Sequence, residues 1–208
     1  MVRVLCRRPG GGAAVELPPA DVAGVLADPR SLLWVDFFDE PHEACEAMLR
    51  DVFRFHPLAI DDAIQETHVP KVDDWGAYLY LVIHAVAFDA SAEQPLVTRE
   101  LDVFLGPNYV VTHREDAIDG IDRVRTLFQR DGRLLEHGAA HLAYHLVDEL
   151  ASDAMIAVDA IDAEVEAVEE RLLAEPGQQA LQQVLRLKRA LMHLRRLLAP
   201  QREVLNRM

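Results

Sequence analysis

The sequence predicts an α+β protein: an α/β/α sandwich with a mixed sheet, followed by a long antiparallel helical hairpin. Three observations carry this prediction. Short β-branched and aromatic runs alternate with helical patterns in the first part of the chain. From about His137 to Ala174 there is no proline, and Val158, Ile161, Val165, Val168 and Leu172 are spaced 3, 4, 3, 4. The same spacing returns at Val184, Leu187, Leu191, Leu194 and Leu198. We therefore expect an α/β domain over residues 1–135 and a helical hairpin over residues 136–208.

The elements follow in order. Val2–Leu5 is a short apolar strand, and Pro9–Gly12 a turn whose glycine run, Gly10-Gly11-Gly12, is too generic to bind phosphate. Leu32–Phe37 is a strand rich in aromatic and β-branched residues. Pro41–Phe53 reads as a helix, with Ala44, Met48 and Val52 on its apolar face. His56-Pro57 opens a short helix to Gln65, since proline suits the first helical position. Asp73-Asp74-Trp75-Gly76 signals a turn before Tyr78–Ile83, a strand apolar on both faces. Glu100–Leu105 and Tyr109–His113 flank Gly106-Pro107-Asn108, a hairpin pattern, and Asp116–Gln129 reads as a helix.

The heptad spacing of the last third is expected of long helices packed along one another. Glu175-Pro176-Gly177 separates them, and Pro200 predicts a kink or stop near the end of the second. Charge is split across the hairpin. Residues 148–175 hold ten Asp/Glu and one basic residue, Arg171. Residues 176–208 hold seven Lys/Arg and one acid, a net of +6, which leaves −20 on residues 1–175. A charge-matched pairing of the two helices is expected, each exposed pair adding only ~0–1 kcal/mol.

With 21 Lys+Arg against 35 Asp+Glu, the 208-residue chain carries −14. That argues against a nucleic-acid surface, which needs clustered basic residues, and permits cation binding. No apolar stretch approaches the ~20 residues of a membrane span, and the opening Met-Val-Arg-Val-Leu-Cys-Arg-Arg is not a secretory signal. Cys6 and Cys45 alone do not make a disulfide framework, so a reducing cytoplasm is expected. No zinc-protease signature, phosphate loop or dinucleotide fingerprint is present, and His42 and Cys45 read as helix residues rather than a catalytic pair. An enzyme is not expected. The apolar run Val204-Leu205 close to Met208 reads as a chain cut before its natural end.

Three segments carry a family resemblance. His56-Pro57-Leu58-Ala59-Ile60-Asp61-Asp62 with Pro70-Lys71-Val72 resembles the cytoplasmic domain of the CorA magnesium transporters. Ala143-Tyr144-His145-Leu146-Val147-Asp148 is similar to the start of that family's long helix. Leu197–Leu205 is similar to the segment leading to its stalk. The resemblance implies a homopentamer on the cytoplasmic face of the cell (inner) membrane, reached through stalk and membrane helices beyond Met208. No Gly-Met-Asn pore motif is present, so this portion would not conduct by itself. Mg²⁺ is implied as transported ion and regulatory ligand, with Co²⁺, Ni²⁺ or Zn²⁺ as alternatives.

The resemblance also implies site residues. Asp62 matches the acid that binds a regulatory metal between subunits, Asp61 its acidic neighbour, and Asp148 a further acid from the long helix. The partner acid lies on the stalk of the next subunit. Mg²⁺ keeps several waters, so one or two carboxylates suffice. The plainer reading of Asp61-Asp62 is solvent-facing acids that favour the helix dipole by ~0.3–1 kcal/mol. His137, His141 and His145 recur at i, i+4, i+8, extended by Glu149, and imidazole suits Zn²⁺. The plainer reading is that they are ordinary surface or interface histidines. Two rivals stay open: the same domain of a zinc-transporting relative, and a soluble helical-hairpin scaffold that binds a partner protein.

Overall fold

The computed structural model describes residues 1–10, 14–65, 67, 69–174 and 177–208, without the side chains of residues 132, 133 and 135. Gly11, Gly12, Glu175 and Pro176, which the sequence places in a turn and a helix break, lie outside the described residues. Strand β1 (Val2–Arg7) is followed by the two-residue β2 (Val15–Glu16) and a short α1 (Val22–Leu26). Next come β3 (Leu32–Phe38), α2 (His42–Asp51) and α3 (Pro57–Ile64). Four strands then run in succession: β4 (Lys71–Asp74), β5 (Leu79–Phe88), β6 (Leu96–Leu105) and β7 (Tyr109–Arg114). Helix α4 (Asp119–Arg130) and a 3₁₀ turn (Gly132–His137) lead into α5 (Ala139–Ala174) and α6 (Gln178–Arg207).

The strands form one sheet in the order β2-β1-β3-β7-β6-β5-β4. Among the described residues only β3 and β7 pair in parallel, with Asp36 opposite Thr112; every other pair there is antiparallel. The mixed sheet is therefore as expected. The β6–β7 hairpin closes through the Gly106 N–H donating to the Tyr109 carbonyl at 3.0 Å. A Cβ at Gly106 would collide with the Tyr109 ring, so the tight turn requires glycine.

Strand alternation sorts the core into two layers. Val35, Phe37, Tyr80, Val82, Phe104 and Val111 face α1, α2 and α3. Trp34, Leu81, Ile83, Val103 and Val110 face α4 and the first half of α5. Strand β5 is covered on both faces, which explains its unbroken apolar run. Each such side chain contributes about 1.5–3 kcal/mol when fully buried.

At 36 residues, α5 is about 54 Å long. It leaves the sheet and packs on α6 through Ala154, Ala157, Ile161, Ala190, Leu194 and Leu197. The buried row of α6 differs from the expected one. It runs Leu187, Ala190, Leu194, Leu197, Gln201, Val204, while Leu191 is exposed. The 3, 4 period holds, but the face turns by one residue, because small Ala190 lets the helices approach and the later turns bury against the sheet. Similarly, α2 buries Cys45 and Leu49, with Met48 at the border and Ala44 exposed. Asp73 and Asp74 end β4 rather than forming a turn; the turn itself is at Gly76, at φ +76°.

Helix α6 continues to Arg207 through Pro200, where a kink or stop is expected. One further expectation is corrected. Among the described residues no ion pair joins α5 to α6. The seam between them is apolar, and the acids Glu149 and Asp153 of α5 pair instead with Arg123 of α4.

Candidate metal centre

The local structure around Asp61 and Asp62 begins at His56. Its backbone is extended (φ −65°, ψ 137°), as the residue before a proline must be. Its Nδ1 accepts the Leu58 N–H at 3.2 Å, and its own N–H donates to the Tyr78 hydroxyl at 2.8 Å. The imidazole stacks on Trp75, ring centroids 4.2 Å apart. This cap fixes the direction of α3. Ala59, Ile60 and Ala63 then turn inward, so Asp61 is exposed and Asp62 half-buried at the protein surface.

Asp62 already has a cation. The Lys71 ammonium hydrogen-bonds the Asp62 carboxylate and lies 3.1 Å from an oxygen of Asp73. Lys71 and Asp73 project from the same side of β4, two residues apart, towards α3. Burial would lower the Lys71 pKa, but the bonds to Asp62 and Asp73 outweigh it and raise it. The ammonium also sits 5.1 Å from the centre of the Tyr80 ring.

Behind Tyr80 lies a buried polar chain. The Tyr80 hydroxyl donates to Asp102 at 2.7 Å, and His113 Nδ1 is 3.4 Å from the other oxygen of that carboxylate. Burial holds the Asp102 carboxyl up at about 6. Burial would also discharge His113, yet its bond to Asp102 pushes it up to about 10. Both shifts belong to one buried Asp102–His113 contact. Nothing in the sequence pattern singles this chain out, because its members lie on three different strands. The sequence reading misses Lys71: the alternation Lys71-Val72-Asp73 would put both charged groups on one strand face, but Asp73 reads there as part of a turn.

Asp148 is elsewhere. It is exposed on α5, 3.5 Å from the Tyr144 hydroxyl that donates to it, and has no ion-pair partner among the described residues. Helices α3 and α5 pack on opposite faces of the sheet. The structure thus brings Asp62 together with Lys71 and Asp73, leaves Asp61 beside it, and does not join Asp148 to them. Among the described residues no three His, Cys, Asp or Glu side chains converge as a metal-binding group. The donors at Asp61 and Asp62 are hard carboxylate oxygens, which fit Mg²⁺ with water completing its shell.

The sequence profile described as CorA-like Mg²⁺ transporter protein matches residues 29–208. The chain belongs to the CorA-like family. It is 34% identical over 174 residues to YfjQ of Bacillus subtilis, covering 84% of this chain and 53% of that protein. It is 28% identical over 194 residues to the cobalt/magnesium transport protein CorA of Thermotoga maritima, covering 92% of this chain and 55% of that one. The chain thus spans about half the length of the curated relatives it matches. Its fold is that of the soluble domain of CorA from Methanocaldococcus jannaschii, with a TM-score of 0.77 at 21% identity over 97% of this chain and 77% of that one. No described helix is long and apolar enough to cross a membrane.

Proposed function

We propose that this CorA-like chain is the cytoplasmic, metal-sensing part of a divalent-cation transporter, most naturally for Mg²⁺. The single observation that carries the transport reading is the family match over residues 29–208. The sensing reading rests on Asp62, a half-exposed carboxylate already held against a cation. Neighbouring subunits of a homopentamer would present Asp61 and Asp62 to acids of the adjacent chain, and Asp148 would add a further acid. Unoccupied, such acids repel. A bound divalent cation reverses the local field and favours the closed, symmetric arrangement. The ion shifts that balance only through tighter binding to the closed state.

Two variants test this in the full-length transporter. Asp62→Ala is expected to weaken Mg²⁺-dependent protection from proteolysis; protection unchanged across Mg²⁺ concentrations would count against the assignment. Lys71→Ala tests the resident cation. It removes the ammonium that an incoming metal must displace, so half-maximal protection should need several-fold less Mg²⁺. A requirement for more Mg²⁺ would mean that Lys71 supports the site rather than competing for it. Uptake measured with Mg²⁺, Co²⁺, Ni²⁺ and Zn²⁺ identifies the transported ion and decides the zinc alternative.

A further inference from the structure

The histidines at the start of α5 are not absorbed by the acidic site. His141 Nε2 and His145 Nε2 face each other at 3.2 Å. The separation suits a shared ion as well as a shared proton. With zinc–nitrogen bonds of about 2.0–2.1 Å, a 3.2 Å separation gives an angle of about 100° at the metal, close to tetrahedral. Two histidines one helical turn apart on one face are a known way to hold zinc, because both rings project from a rigid element.

The rings are held in place. His145 meets the edge of Phe128, a fully buried residue of α4, at 5.3 Å between centroids. His141 lies between the His137 ring at 4.7 Å and the His145 ring at 4.6 Å. Burial first, and then the neighbouring histidines, lower the His141 pKa. Both rings remain partly solvent-accessible, so water can fill the other coordination positions.

We propose that His141 and His145 form a two-histidine chelate for a borderline-soft divalent transition metal, with Zn²⁺ as the representative ion. Imidazole nitrogen selects such ions over Mg²⁺, whose preferred donors are oxygens. The site is separate in residues and in ligand chemistry from the proposed Asp62 site, so either can fail without the other.

Calorimetric titration of Zn²⁺ alone into the 208-residue chain tests it. One saturable site per chain is expected, with His141→Ala and His145→Ala each weakening it at least tenfold. Mg²⁺ should not compete for it. His141→Gln and His145→Gln keep size and polarity and repeat the test should alanine disturb the fold, which circular dichroism reports. Absence of saturable binding in wild type, or wild-type affinity in either folded single variant, overturns the proposal.

Discussion

Asp36→Ala is expected to destabilise the fold by about 3–5 kcal/mol, because it strands a buried cation. Asp36 and the Arg114 side chain are both fully buried. Arg114 Nη2 lies 3.2 Å from Asp36, and Arg3 binds the same carboxylate from β1. Thr112 Oγ1 donates to Asp36 at 2.7 Å and itself accepts the Trp34 indole N–H at 3.1 Å. The Trp34, Thr112 and Arg114 contacts cross the parallel pairing of β3 with β7 and lock its register; a one-residue slip would turn every side chain to the wrong face. Without Asp36, Arg114 keeps, among the described residues, the half-exposed Asp122, the Ile118 carbonyl and the face of the Phe38 ring. At about 2–4 °C per kcal/mol for a chain of this size, the midpoint should fall by about 6–20 °C in thermal unfolding followed by circular dichroism. A loss below about 1 kcal/mol would show that Asp36 is not the anchor of the network.

The same network sets a pH dependence. Burial would raise the Asp36 pKa, but the charges of Arg114 and Arg3 outweigh it and hold it below the ordinary carboxylate value. A depressed folded-state pKa means that the unfolded chain binds the proton more readily. The stability it contributes is complete above the unfolded value of about 3.9 and disappears as pH falls through the folded one. The gap between wild type and Asp36→Ala should therefore stay constant from pH 7 to about pH 4 and narrow below that. A gap that closes at higher pH would point to a different group.

Local pattern made the elements legible, while details set by long-range packing were not. Strand β5 declared itself by an apolar run covered on both faces, and α3 by His56-Pro57 at its start. The shift of the α6 face from Leu191 and Leu198 to Ala190 and Leu197 was hidden, because a heptad row does not say that the helix leaves one partner for another. The residues alone make Asp62 a solvent-facing acid, and only the family resemblance gives it a metal. That its first cation is Lys71 follows from the pairing of β4 with β5, which no local rule supplies. Asp61, Asp62 and Asp148 look like one ligand set in the one-dimensional chain. The sheet lies between their helices, so a common ion could be shared only between chains.

Gln201→Ala is the second large expected effect, and it arises where a propensity rule gives way. Proline inside a helix removes one hydrogen bond and costs about 3 kcal/mol, yet α6 runs through Pro200 for seven more residues. The next residue supplies the compensation. Strand β4 pairs with β5 only from Leu79 to Val82, so among the described residues the edge of β5 beyond it has no strand partner at His84. The buried Gln201 amide takes that place: its Oε1 accepts the His84 N–H at 2.9 Å and its Nε2 donates to the His84 carbonyl at 3.2 Å. A primary amide has the donor and acceptor of a peptide group, so one side chain stands in for the missing strand. Alanine would leave both backbone groups buried and unpaired, at about 1–3 kcal/mol each, for a loss of about 2–6 kcal/mol. Gln201→Glu keeps the acceptor, loses the donor and buries a charge, so it should be no better tolerated. In hydrogen exchange the His84 amide should lose protection first, together with the amides of the last turns of α6. Retained protection at His84 in folded Gln201→Ala would mean that water replaces the amide and that Val204 alone holds the end of α6 against the sheet.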